Sequence, residues 1–177
     1  MNMTEKINSK IMLRQIMWIL ATAAIVALDQ ITKYLVVKNM ELYDEIPVIP
    51  GFFGLNYVRN KGAGLGILSG ARWIFMIVTT VVIIVVTALL FIDFFKSRLA
   101  DTALVFILAG GVGNMIDRIF LGEVVDFFQF QIKLFDFIFN VADVFVTFGT
   151  VLFVIYYLFY YGKDKEKTDV KQQLEQN

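Results

Sequence analysis

Long apolar runs separated by short polar clusters set the pattern of this chain. The first, IMLRQIMWILATAAIVALDQITKYLVV, begins near Met12. The second, 73–95, is uncharged from Trp73 to Ile92; the third, 102–120, is uncharged until Asp117; the fourth, 143–161, is uncharged after Asp143. A bilayer-spanning helix needs about 20 mostly apolar residues at about 1.5 Å rise each. The four runs therefore predict spans over about 12–37, 73–95, 102–120 and 143–161. Lys6, Lys10 and Arg14 ahead of the first run mimic a secretory signal. The polar cluster at its far end argues for a retained span.

The segments between the runs carry a different period. Residues 38–72 hold both prolines, Pro47 and Pro50, and several glycines, so FFGLNYVRNKGAGLG predicts short strands joined by turns. In FQFQIKL, Phe128, Phe130, Ile132 and Leu134 alternate with Gln129, Gln131 and Lys133. A period of two predicts an extended segment with one apolar face, here lying on the membrane interface. The predicted fold class is membrane α-helical: four transmembrane helices, a small extracytoplasmic β-rich platform at 38–72, and an extracytoplasmic loop between helices 3 and 4. Residues 1–161 form a single membrane-embedded domain and 162–177 a polar tail.

Composition narrows the chemistry. The 177 residues are 58% hydrophobic and only 18% charged, with no cysteine and no histidine. Mean hydropathy is +0.70. A net charge of +0 gives no electrostatic footprint for nucleic acid. Disulfides, thiolate nucleophiles and the commonest general base are all excluded. An even number of spans places both termini on one side. That side holds Lys6, Lys10, Arg14, the turn at 96–98, and Lys163, Lys165, Lys167 and Lys171, so the positive-inside rule makes it cytoplasmic.

Ionisable groups inside a membrane are expensive, yet here they gather at one level. Asp29 and Lys33 lie at the outer end of span one, Asn114, Asp117 and Arg118 at the outer end of span three, and Asn140 and Asp143 at the outer start of span four. Asp126 lies between spans three and four. Most have ordinary structural readings. Asp29 and Lys33 have ion-pair spacing; Asn140 and Asp143 have capping spacing; Asp117 and Arg118 can neutralise each other. Gly110, Gly111 and Gly113 allow close helix approach. Asp126, in VVDFF, has no adjacent cation or cap, and a carboxylate there resists ionising. Two acids at one depth can share a proton, one activating water while the other protonates the leaving amine. Asp117, Asp126 and Asp143 are all eligible for that pair.

Five motifs occur in order: DQITKYLV at 29–36, NKGAGLG at 60–66, GGVGNMIDR at 110–118, VVDF at 124–127 and FNVADV at 139–144. Over about 16–161 the chain resembles the lipoprotein signal peptidases, or signal peptidase II. The resemblance implies that Asp126 and Asp143 are the catalytic dyad. It implies that Asn114 and Arg118 position the substrate backbone, and that Asn60 and Gly62 belong to a strand-rich platform. Asp29, Lys33, Gly113, Asp117 and Asn140 match positions bordering the dyad. It further implies a bacterial inner-membrane enzyme, a monomer without cofactor or metal, with its site near the extracytoplasmic face. The implied substrate is a prolipoprotein anchored in the bilayer, cut before its diacylglyceryl-modified cysteine. Where the family continues N-x-G with Ala-Ala-Phe, this chain has Gly64 and Leu65 at the second alanine and the phenylalanine.

Three rivals are weaker. A serine–lysine peptidase has only Ser69 on the outer side, without a turn motif. Oxygen ligands from Asp117, Asp126 and Asp143 suit Mg²⁺ but lack a dense acid cluster. A transporter or assembly factor would spread its acids along the membrane depth.

Overall fold

The computed structural model describes residues 3–62, 72–132 and 135–163. Gly64, Leu65, Ser69, Lys133, Leu134 and the tail from 164 lie outside them. Four helices carry the apolar runs: α1 (Met3–Asn39), α2 (Arg72–Phe91), α3 (Arg98–Phe120) and α4 (Val141–Phe159). All four are long and apolar enough to cross a membrane. Helix α1 starts well before the apolar run at 12–37, because hydropathy marks the lipid-facing portion and not the hydrogen-bonded one. Helix α2 ends at Phe91, before the expected 95. Beyond it the chain turns, with Asp93 and Lys96 at φ 52° and 50°.

Helix α3 is the hub. Of its most apolar stretch 56% is buried, against 0%, 11% and 17% for α1, α2 and α4. It packs against all three of the others. The outer helices turn Leu20, Ile31, Ile77, Ile84, Val151 and Leu158 outward, which a lipid solvent permits.

Between lipid-bathed helices no hydrophobic gain drives association, so close backbone packing and hydrogen bonds must. The glycines of α3 supply the first. A Cβ on Gly110 would strike the Ala142 carbonyl oxygen and lie 2.6 Å from Val146 Cγ2 of α4. One on Gly113 would sit 2.7 Å from Asp29 Oδ2 of α1. Gly111 faces α2, where Thr79 is an unstrained 3.7 Å away. Gly149 of α4 completes the seam: a Cβ there would sit 2.7 Å from the Ala103 carbonyl oxygen.

Four strands form one antiparallel sheet in the order β1 (Glu45–Ile49), β2 (Phe53–Asn60), β3 (Val124–Ile132), β4 (Phe135–Phe139). The expected platform and the expected loop between helices 3 and 4 are thus a single sheet. Gly122, at φ +82°, makes the sharp turn from α3 into β3. Register pairs Asn60 with Val124 and Val58 with Asp126. The apolar face foreseen in FQFQIKL is present but differently placed. Phe128 and Phe130 pack with Phe53 and Phe139, ring centroids 5.4–5.8 Å apart. Gln129, expected on a wet face, is buried. β3 is the strand between β2 and β4, and what covers its second face is set by the rest of the fold, which a period of two cannot reveal.

Gly110→Val should lower the unfolding temperature of the detergent-solubilised protein markedly, as overpacking costs ~1–3 kcal/mol or more. Gly111→Ala should leave it nearly unchanged. Equal effects would refute the assignment of one glycine to each helix seam.

Candidate active site

At the sheet end of the helices, polar side chains from α1, β2, α3, β3 and α4 meet. The centre is the Lys33 ammonium, 3% exposed. It lies 2.9 Å from Asp29 Oδ2, 3.0 Å from Asp117 Oδ2 and 3.0 Å from Asn114 Oδ1. An ammonium has three protons, and here each has an acceptor. The i, i+4 pair read from the sequence is therefore present, with a third member. Asp117 pairs with Lys33 and not with its neighbour Arg118, because successive helical residues point in different directions.

Each acid also holds backbone. Asp29 Oδ1 accepts from Ala142 N at 2.9 Å, tying α1 to the start of α4. Asp117 Oδ2 accepts from Val125 N at 3.1 Å, tying α3 to β3. Gln30, which sequence reasoning missed, donates to Asp29 Oδ2, Asp117 Oδ1 and the Gly113 carbonyl at 3.0–3.2 Å. Its only signal was an amide inside an apolar run.

Around this centre three asparagines fix the two remaining acids. Asn140 caps α4: its Oδ1 accepts from Asp143 N at 2.9 Å, while its own N–H donates to Asp143 Oδ2 at 3.2 Å. This is the reciprocal capping box. The Asn140 Nδ2 amino group donates to Asp126 Oδ1 at 2.6 Å and to Asn114 Oδ1 at 3.0 Å. Asn114 Nδ2 donates to Asp143 Oδ1 at 2.8 Å. Asn60 Oδ1 accepts from Gly62 N at 2.9 Å, leaving Nδ2 to donate to Asp126 Oδ2 at 2.8 Å. The capping reading and the site reading of Asn140 and Asp143 therefore coexist.

Asp126 and Asp143 open onto one cavity of about 210 Å³, whose wall includes Asn60, Gly62, Asn114 and Arg118. Phe75 of α2 and Phe137 and Ile138 of β4 close it with apolar surface; no sequence signal marked Phe75. Arg118 lies over the Phe75 ring, 5.5 Å from its centroid, and donates to the Asn114 carbonyl at 3.3 Å. Burial, reinforced by the Asp143 charge, pushes the Asp126 carboxyl from 3.8 up to about 7, against the opposing pull of Asn60, Asn140 and Lys33. All eleven residues singled out from the sequence thus belong to one network or cavity wall. Ser9 and Ser97 lie at the other end of the helices. Among the described residues no group of three or more acids could hold a metal ion.

Four apolar helices, a four-stranded sheet and a buried acid–amide cavity where they meet define a multi-pass membrane enzyme. Two solved bacterial membrane enzyme structures, determined by the in meso method at 2.3 Å and 1.9 Å resolution, share the architecture. Their TM-scores are 0.74 and 0.73 at 38% identity, covering 80% and 81% of this chain and 87% and 94% of theirs. The family model described as Signal peptidase (SPase) II matches residues 21–159. The lipoprotein signal peptidase of Brevibacillus brevis is 47% identical over 140 residues, 78% of this chain and 93% of its own length. That of Clostridioides difficile is 39% identical over 150 residues, 84% and 99% of the two chains. The chain belongs to the signal peptidase II family of membrane proteases.

Two outcomes follow from the geometry. Lys33→Met leaves two buried carboxylates without their cation, and breaking such pairs costs ~3–5 kcal/mol; calorimetry should show a large fall in unfolding temperature. For Asp126, a raised folded value means the native state keeps a proton that the unfolded chain has already released between about pH 4 and 7. Its contribution to stability is therefore fully present below pH 4 and lost as pH rises to about 7. Asp126→Asn should abolish that part of the pH slope, measured by denaturant unfolding at several pH values.

Proposed function

We propose that the protein is an aspartic endopeptidase that removes the signal peptide from diacylglyceryl-modified prolipoproteins, cutting before the lipidated cysteine. The observation that carries this reading is the shared cavity: a buried and a half-buried carboxyl, three of whose oxygens accept from asparagine side-chain amides, facing the same small space. An aspartic mechanism needs one ionised and one protonated carboxyl side by side. In this reading Asp126, which burial holds toward its neutral form, carries the shared proton. Asp143, ionised, takes a proton from water, and the resulting hydroxide adds to the scissile carbonyl carbon. Asp126 protonates the carbonyl oxygen. As the tetrahedral intermediate collapses, the C–N bond breaks, the proton held by Asp143 passes to the leaving amine, and a hydroxyl of the intermediate returns its proton to Asp126 as the C=O re-forms.

The asparagines hold both carboxyls in fixed orientation, which preorganises the site for this transfer. Arg118, on the cavity wall, is placed to engage a substrate carbonyl. Phe75, Phe137 and Ile138 limit water access and so strengthen every charge interaction inside. The substrate is held in the bilayer by its signal helix and its acyl chains, and a site at one end of the spans meets its scissile bond at the interface. Both termini lie in the cytoplasm and the site near the extracytoplasmic face, in keeping with the basic residues around the termini. Every site residue comes from one chain, so a monomer suffices. Residues 1–161 act as the peptidase domain and 162–177 as a polar tail.

The test is cleavage of a diacylated precursor peptide by purified wild type and single variants. Asp126→Asn and Asp143→Asn should each lose ~10²–10⁴-fold in turnover while remaining folded. Wild-type activity should decline as pH rises through about 7, when the pair loses its last proton. Turnover unaffected by either substitution would end the aspartic reading.

A further inference from the structure

A second and larger cavity, of about 720 Å³, lies at the opposite end of the bundle, between the start of α1 and the start of α3. At 1.5 Å per residue it is roughly 22 Å along α1 from Asp29. Its charged rim consists of Lys10 and Arg14 of α1, Asp93 of the α2–α3 turn, and Arg98 and Asp101 of α3. Deeper in, its walls turn apolar with Met17, Trp18, Val105 and Phe106. Polar rim and greasy depth match the two ends of a membrane lipid.

The rim is built and incompletely satisfied. Arg14 is stacked on Trp18 at 4.8 Å and bonded to Asp93 at 2.5 Å. Asp101 is 4% exposed; its Oδ2 has no hydrogen-bond partner, with Arg14 Nη1 at 3.9 Å. Asp93 Oδ1 and Arg14 Nε are likewise buried without partners. Five such side-chain atoms occur among the described residues, and three of them belong to residues of this rim. Two are carboxylate oxygens that need a donor; one is a guanidinium N–H that needs an acceptor. Unpaired buried polar atoms cost ~1–3 kcal/mol each. A ligand offering both an anionic oxygen and a cationic N–H group would complement the cations and the carboxylates of this rim.

We propose that this cavity binds a glycerophospholipid whose headgroup ends in a primary ammonium. The phosphodiester sits against the part-exposed guanidinium of Arg14 with Lys10 and Arg98 beside it; the ammonium donates to the part-exposed Asp93 and to Asp101; an acyl chain follows Met17, Trp18 and Phe106 inward. A signal helix is a poorer fit, because the carboxylate cavity is bounded by α2, α3, α4 and the sheet, whereas this one is bounded by α1, α3 and the α2–α3 turn. The site shares no residue with the proposed catalytic machinery, so it stands or falls separately.

Native mass spectrometry of the full-length protein, with phosphatidylethanolamine, phosphatidylcholine and phosphatidylglycerol of matched acyl chains, tests it. Wild type should retain phosphatidylethanolamine at least tenfold better than the other two, since one lacks N–H donors and the other lacks a cation. Asp101→Asn should erase that preference. Arg98→Gln combined with Lys10→Gln, both at exposed positions, should weaken retention of every phospholipid severalfold without requiring a change in the buried rim. Equal retention of the three lipids by wild type would overturn the proposal, as would preference unaltered in Asp101→Asn. So would a rise in KM for a precursor peptide in the exposed-position variant with lipid retention intact, which would give the cavity to the peptide.

Discussion

A single buried ammonium organises this protein. Lys33 places its three protons on oxygens from α1 and α3, and those partners in turn bind α4 and β3 through backbone N–H groups. A lone ion in such a place would be prohibitive, and even a single pair barely breaks even against desolvation. Three acceptors, each with further donors of its own, make the burial tolerable. Helices bathed in lipid otherwise have little to specify their register. The Lys33 network supplies that register at the level where the sheet joins the helices.

The same network sets the direction of the asparagine amides. Asn114 Oδ1 faces Lys33 and Asn140 Nδ2, so its own amino group must point to Asp143. The Gly62 N–H likewise turns the Asn60 amino group toward Asp126. Donors thus converge on both carboxyls although, among the described residues, no cation forms an ion pair with either. Asp126 is left in a dry setting that favours its proton, with hydrogen bonds that prevent its rotation. Stability and the proposed chemistry draw on the same atoms.

The two ends of the bundle solve different problems. At the sheet end, polar groups saturate one another around a small cavity. At the other end, Arg14, Asp93 and Asp101 leave donors and acceptors unmatched around a large one. Close packing along α3, enforced by Gly110, Gly113 and Gly149, joins the two regions.

The helices were legible because twenty apolar residues in a row have few other uses, and the strand-rich segment because its prolines, glycines and alternation exclude a helix. That acids and amides in such company need partners was legible too, and ordered motifs located them. Partnership was decided in three dimensions. Asp117 chose Lys33 over the adjacent Arg118, Gln129 went inside, and Gln30 and Phe75 joined without any local signal. The loop between α3 and α4 became part of the platform's sheet. Local sequence fixes how a segment prefers to fold and which side chains cannot stay unpaired. Which partners they find depends on distances between segments that are remote along the chain, and only the packed structure sets those.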